Sequence, residues 1–113
     1  MNAATVERLR ALCGGPRDGA LLRFSLGNAL LAGGAPADAA IELRRAVEFA
    51  PAYSAAWKLL GRALVEAGDP LRARDAWSEG IAAAGRAGDV QAQKEMQVFV
   101  RRLDQHRGHS ARD

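Results

Sequence analysis

Residues 20–53 read ALLRFSLGNALLAGGAPADAAIELRRAVEFAPAY, and residues 54–87 read SAAWKLLGRALVEAGDPLRARDAWSEGIAAAGRA. Leu26-Gly27 in the first stretch recurs as Leu60-Gly61 in the second, at an offset of 60 − 26 = 34 residues. The same offset relates further pairs, namely Leu30 and Leu64, Pro36 and Pro70, Ala39 and Ala73, and Val47 and Ile81. Self-similarity at a fixed period is typical of repeat proteins, in which each unit packs against its neighbours.

Each stretch is predicted to fold as a pair of helices. In the second half of each stretch, apolar or small residues recur at spacings of three and four, the pattern of a helix buried on one side: Ala39, Leu43, Ala46, Val47 and Ala50, and then Ala73, Trp77, Gly80, Ile81 and Ala84. Gly33-Gly34 and Pro51 are signals for helix ends, and Gly68-Asp69-Pro70 supplies an end, an N-cap and a start. The chain therefore contains two predicted helical hairpins in succession.

Small residues are expected where the two helices of a hairpin cross. We expect Gly27 to face Ala39, and Gly61 to face Ala73. Without bulky side chains at these places the helix backbones can approach closely. A leucine at either glycine should force the helices apart.

The flanking segments are predicted to cover the two ends of this stack. A helix over about residues 3–13 has its apolar side at Val6, Leu9, Leu12 and Cys13. Asp89 can cap a last helix over about residues 89–106, whose apolar side is Ala92, Met96, Phe99, Val100 and Leu103. Short solenoids need such caps because their terminal units expose apolar surface. Residues 1–107 are therefore expected to form one domain, and residues 108–113 a disordered tail.

These motifs resemble the tetratricopeptide repeat (TPR) family, whose unit is 34 residues folded as two antiparallel helices. The resemblance covers unit one, residues 20–53, and unit two, residues 54–87. It rests on Leu26, Gly27, Leu30, Ala39, Leu43, Ala46 and Pro51, and on Trp57, Leu60, Gly61, Leu64, Ala73 and Trp77. Three positions depart from the family pattern: Arg23 replaces a Trp, Gly80 an Ala and Gly85 a Pro. The resemblance implies an all-α fold of antiparallel helix-turn-helix repeats stacked as a short right-handed superhelix, with about six helices in all.

The resemblance also implies a concave groove that binds a segment of another protein. If Leu26 is the centre of the packed side of its helix, 3.6 residues per turn place a second set of side chains on the opposite side, where TPR proteins have their groove. The set and its counterparts in the second unit form the predicted site: Leu21, Phe24, Asn28, Leu31, Lys58, Arg62, Val65 and Glu66. An apolar patch beside two cations predicts a ligand with apolar and acidic groups. The leading function is thus a non-enzymatic TPR adaptor or scaffold.

Two alternatives remain open for this surface. A helix that is apolar on both sides can be covered on both sides, by a terminal helix or by a second copy of the chain, so a structural homodimer through the same groove is the alternative function. Lys58 and Arg62 can equally be solvated, with Arg62 paired to Glu66 one turn away for about 0.2–0.5 kcal/mol.

The charge distribution argues against a nucleic-acid reader. The net charge is +3, from 16 Lys and Arg against 13 Asp and Glu. Residues 101–113 hold four Arg and two Asp, so 4 − 2 = +2 of this charge lies at the C-terminal end. Weak nucleic-acid binding through that end is the least favoured function, because an ordered basic face with aromatic side chains is missing.

No residue pattern predicts catalysis, a cofactor or a metal ion. The glycine pairs lack the Lys-Ser or Lys-Thr of a phosphate loop. His106 and His109 beside Asp104 are too near the chain end for a fixed metal geometry, and Cys13 continues an apolar stripe. The chain has no apolar run long enough to span a membrane and no signal-like start, so we expect a cytoplasmic protein.

Overall fold

The computed structural model describes residues 3–112, with side-chain surroundings for residues 3–106. Within that range there are six α-helices and no strand: α1 (Ala3–Leu12), α2 (Ala20–Ala32), α3 (Pro36–Phe49), α4 (Ser54–Glu66), α5 (Pro70–Ala87) and α6 (Val90–Arg112). The predicted all-α class and number of helices are confirmed.

The helices pack in the order in which they follow one another along the chain. From α2 to α6 each helix contacts the next, and α4 also touches both α2 and α6. Because the connections from α2 onward are only two to four residues long, consecutive helices from α2 to α6 run antiparallel. Helices α2, α4 and α6 therefore form one side of the molecule, with α4 between the other two, while α3 and α5 form the other side. α1 contacts α2 alone among the described helices.

A single cluster of buried side chains runs through both units and into α6. Its largest fully buried members are Leu26, Leu43, Leu60 and Met96, which come from α2, α3, α4 and α6. Ala39 and Ala73 are also fully buried. The last helix thus supplies part of the core and covers the end of the second hairpin.

The glycines that recur in the two units, Gly27 and Gly61, do allow close packing, and the nearest atoms belong to larger side chains than we expected. A Cβ atom at Gly27 would collide with the Leu43 side chain, and one at Gly61 would collide with the indole ring of Trp77. Gly27 also faces Ala39 as expected, since its Cβ would lie 3.3 Å from the Ala39 carbonyl oxygen, whereas the three atoms nearest to Gly61 all belong to Trp77 and not to Ala73. Which residue of α3 or α5 meets a given glycine depends on how the two helices cross. The spacing of residues along one helix therefore does not identify the partner.

The ends of α5 and α6 also differ from the repeat pattern. α5 has 18 residues where α3 has 14. The proline that follows α3, Pro51, has Gly85 as its counterpart (51 + 34 = 85), and a helix can continue through glycine but not readily through proline. α5 ends instead at Gly88, whose φ of 74° favours glycine.

α6 begins after Asp89, which accepts a hydrogen bond from the Ala92 N–H, as the predicted cap requires. Its backbone is helical to Arg112, beyond the predicted end at 106. The side chains of residues 107–113 lie outside the described residues, so the predicted disorder of 108–113 stays a prediction. No helix within the described range is long and apolar enough to cross a membrane.

Arg23, which stands where the TPR pattern has a Trp, forms an ion-pair network at the start of α2. Its guanidinium donates two hydrogen bonds of 2.9 Å to the Asp18 carboxylate and one of 2.8 Å to Glu42 of α3. Asp18 also accepts from the Gly14 N–H at 2.9 Å, so the loop after α1 is joined to both helices of unit one. A polar network therefore stands at the position where unit two has Trp57.

Candidate functional site

An open groove lies where α2, α4 and α6 meet, with a cavity volume of about 490 Å³. Phe24 and Asn28 line it from α2, and Glu95 and Phe99 from α6. Trp77 of α5 reaches it between the other helices, and α4 supplies the remaining residues, which are Ala55, Lys58, Leu59, Arg62, Val65 and Glu66. We call this surface the groove.

Aromatic rings form much of the groove wall. The Phe24 ring lies 5.0 Å from that of Tyr53, and the Trp77 ring lies 5.2 Å from that of Phe99, both distances between centroids. Trp77 is only 7% exposed, and its indole N–H donates to the backbone carbonyl of Lys58 at 3.1 Å. These contacts fix the rings in place, so the apolar surface is formed before any ligand arrives.

Two ion pairs lie along the rim of the groove. The Lys58 ammonium is 3.2 Å from a Glu95 oxygen, and Arg62 Nε is 2.9 Å from a Glu66 oxygen. The four groups sum to zero charge. All four side chains are between 31% and 66% exposed, and such pairs contribute about 0–1 kcal/mol to stability. The rim is therefore balanced in charge but easily rearranged.

Six of the eight residues predicted for the site line the groove: Phe24, Asn28, Lys58, Arg62, Val65 and Glu66. The i,i+4 pair between Arg62 and Glu66, which the sequence allowed as an alternative to a free cation, is present. Their role in binding stays a prediction.

The other two predicted residues, Leu21 and Leu31, are not among the residues that line this groove. Leu31 is only 7% exposed and belongs to the core, because α2 packs against α1, α3 and α4 and its C-terminal part is covered. Leu21 is 70% exposed but lies outside the groove lining, one turn before Phe24. Helical periodicity predicted on which side of α2 these residues lie, but not whether a neighbouring helix covers that side.

Sequence reasoning missed the contribution of Leu59, Trp77, Glu95 and Phe99 to the groove. Trp77 and Phe99 carry a helical-stripe signal, which predicts burial and does not distinguish a core side chain from a groove wall. Glu95 is 37 residues from its partner Lys58, and no local pattern connects them. Only the docking of α6 onto α4 and α5 brings Glu95 and Phe99 to the groove.

The remaining candidate chemistry of the sequence falls outside the groove. Cys13 donates weakly to the Leu9 carbonyl at 3.7 Å, and burial raises the pKa of its thiol, which opposes formation of a nucleophilic thiolate. Asp104 accepts two hydrogen bonds from Arg74, at 2.9 and 3.3 Å. His109 lies outside the residues whose side chains are described, and no group of three metal-ligand side chains occurs among those that are.

The basic C-terminal end is described only in part. Arg101 and Arg102 are exposed on α6, and the side chains of Arg107 and Arg112 lie outside the described residues. Weak nucleic-acid binding through this end stays a prediction.

Comparison with known proteins gives two close relatives. The chain is 50% identical over 102 residues to a TPR repeat-containing protein of Pseudomonas aeruginosa, which covers 90% of this chain and 97% of the relative. It is 45% identical to a protein of Bordetella parapertussis whose solution structure is known, with a TM-score of 0.76 over 94% of this chain and 91% of the other. No family model matches the chain.

Proposed function

This chain belongs to the tetratricopeptide repeat family, and on that premise we propose that it is a non-enzymatic adaptor that binds a segment of another protein in the groove. The observation that carries the proposal is an open, preformed surface with aromatic walls and a charged rim. Burying one large apolar side chain of a partner there contributes about 1.5–3 kcal/mol. Several such contacts along α2, α4 and α6 are needed for micromolar affinity.

The rim supports a partner that carries acidic groups beside its apolar side chains. A partner carboxylate can replace Glu95 at Lys58, or Glu66 at Arg62, at little cost because the existing pairs are exposed. The planar guanidinium of Arg62 is suited to two carboxylate oxygens. Asn28 is exposed on α2 and has both a donor and an acceptor for a partner backbone.

The test is capture of partner proteins from a lysate of the organism that encodes the chain, followed by titration of the captured protein. Val65→Glu places a carboxylate on the apolar part of the groove at a residue that is 40% exposed, so the fold should tolerate it. We expect affinity for the captured protein to fall by about tenfold or more, which corresponds to about 1.4 kcal/mol. Circular dichroism checks that the variant is folded.

Leu71→Glu is the control. It also replaces an exposed apolar side chain by glutamate, and Leu71, which is 59% exposed, lies on α5 outside the groove. Equal affinity of wild type and Val65→Glu would contradict the proposal. Sedimentation across a dilution series tests the homodimer alternative. A dimer that dissociates in Val65→Glu and persists in Leu71→Glu would assign the groove to self-association instead.

A further inference from the structure

A second concave surface lies between α3 and α5, with a cavity volume of about 470 Å³. We call it the outer cleft and define it by Ile41, Arg44 and Arg45 of α3, Leu60 and Leu64 of α4, and Arg72 of α5. Its floor is formed by the apolar residues Leu60 and Leu64, which are only 1% and 4% exposed. Its edges carry the three arginines.

The outer cleft and the groove lie on opposite sides of α4. At 3.6 residues per turn, Leu60 and Leu64 share one side of this helix, whereas the groove residues Lys58 and Arg62 lie on the other. A ligand in the outer cleft therefore leaves the groove free. A substitution on one side is not expected to touch a ligand on the other.

Cations outnumber carboxylates among the lining residues of the outer cleft, although each of its three arginines has an ion-pair partner. Three guanidinium groups line it against one carboxylate, that of Asp69. The internal partners of these arginines are held loosely: Arg44 is 3.4 Å from Glu79, Arg45 is 3.1 Å from Glu48, and Arg72 is 3.8 Å from Asp69. Exposed pairs of this kind contribute about 0–1 kcal/mol, so an incoming carboxylate can take over an arginine at low cost.

Arg44 is the best positioned of the three cations. Its guanidinium carbon lies 5.7 Å from the centroid of the Trp57 ring, an arrangement that restricts the side chain. Its Nη1 donates to Glu79 at 3.4 Å, so a partner carboxylate at this nitrogen takes the place of Glu79. Arg44 and Arg72 also line an adjoining cavity with Ser78, Asp75 and Glu79. The outer cleft and this adjoining cavity are therefore continuous along α5, and the arginines are concentrated in the outer cleft.

Ile41 adds an exposed apolar side chain to this basic end. It is 62% exposed on α3, next to the arginines. Its counterpart in the second unit is Asp75 (41 + 34 = 75), so the repeat does not require an apolar residue here. Single exposed apolar residues are common on protein surfaces, so Ile41 is used here only for its position, beside the arginines and within reach of a segment that they hold.

We propose that the outer cleft binds an acidic segment of a partner protein. Its carboxylates pair with Arg44 and Arg72, and one of its apolar side chains packs on Ile41. Opposite charge selects the partner, and the apolar contact fixes its register. This site is independent of the groove and of the function proposed for it.

The probe is a synthetic peptide, acetyl-AEELDEA-amide, titrated into the full-length ¹⁵N-labelled protein and followed by amide chemical shifts. Saturable shift changes are expected at Ile41, Leu64 and Ala67, with weaker binding at higher salt. The neutral peptide acetyl-AQQLNQA-amide should leave these amides unchanged. Changes confined to Phe24, Leu59 and Phe99 would place the acidic peptide in the groove and overturn the proposal.

Two variants and one control separate the outer cleft from general charge. The double variant Arg44→Gln, Arg72→Gln is expected to raise the dissociation constant about tenfold or more, and Ile41→Gln about threefold. The double variant Arg8→Gln, Arg101→Gln removes the same charge at exposed arginines elsewhere and should bind as wild type does. Equal weakening by both double variants, equal shifts with the neutral peptide, or no saturable change at millimolar peptide would each reject the site.

Discussion

Gly61 lets the indole of Trp77 lie directly against the backbone of α4. The ring occupies the space where any other residue would have its Cβ atom. From there the indole N–H reaches the Lys58 carbonyl, and one edge of the ring lines the groove. One missing side chain thus joins the packing of unit two to the shape of the candidate site.

Gly61→Ala is expected to lower the free energy of unfolding by about 2 kcal/mol. Overpacking costs about 1–3 kcal/mol and loss of the indole hydrogen bond about 1, while alanine regains up to about 1 through its helix propensity. Denaturant unfolding measures the change. Gly85→Ala in α5 is the control, because its Cβ would meet only the end of the Gln93 side chain, and it should be neutral or stabilising. Equal effects of the two substitutions would contradict this account of Gly61.

The carboxylate of Asp18 is held by Arg23 and by the Gly14 N–H. Hydrogen bonds from the Arg23 side chain, and then from the Gly14 backbone, keep the pKa of Asp18 well below its ordinary value. The folded protein therefore keeps this group ionised at a pH where the unfolded chain takes up a proton. The stability that Asp18 contributes is present at neutral pH and is lost progressively as the pH falls below about 5.

Asp18→Asn should accordingly lower the melting temperature at pH 7, and the difference from wild type should become smaller at pH 3. Thermal unfolding followed by circular dichroism at the two pH values measures this. The control is Glu7→Gln, which changes an exposed carboxylate on α1. A difference from wild type that stays constant, or grows, towards acid would show that the charge of Asp18 does not stabilise the fold.

Among the helices, the two terminal caps are attached very differently. α1 has no buried residue and contacts only α2 among the described helices. α6 places the fully buried Met96 against Gly80 of α5, and its Ala92 is 3% exposed. α6 is therefore part of the core, whereas α1 covers α2 from outside.

Amide hydrogen exchange should reflect this difference. Amides in the middle of α1 are expected to exchange about tenfold or more faster than those in the middle of α4, because α1 can open without disturbing the core. Amides of α6 near Met96 should be protected to nearly the same degree as those of α4. Protection of α1 equal to that of α4 would show that the whole chain opens as one unit.

The number and order of the helices could be predicted from the sequence, since apolar spacing and the signals at Gly33-Gly34 and Gly68-Asp69-Pro70 act over a few residues. The end of α6 could not be predicted in the same way. Its backbone is helical to Arg112, although the apolar stripe ends near Leu103. A polar helix extension leaves no periodic apolar signal.

At the scale of the whole molecule, one continuous core holds two separate surfaces. Leu60 and Leu64 of α4 contribute to that core and to the floor of the outer cleft, while Lys58 and Arg62 face the groove. Our proposals place one partner segment on each side of α4. Because α4 lies between the groove and the outer cleft and contributes residues to both, this small domain has two separate faces.

The candidate site could be predicted only in part. Helical periodicity correctly grouped Phe24 with Asn28, and Lys58 with Arg62, because residues on one side of a helix share an angle. It predicted an exposed position for Leu31, whose side chain is buried in the core. It also left Lys58 without its partner Glu95, which lies on a helix docked from a later part of the chain.

The sequence by itself determined the 34-residue period, the two helical hairpins and the need for small residues at their crossings. These properties depend on local propensity and on a repeated pattern of burial. Only the tertiary structure decided that Trp77 lies against Gly61, that Glu95 neutralises Lys58 and that Leu31 is covered. The physical reason is that contacts between helices depend on their rotation and offset at each crossing, which no spacing along one helix specifies.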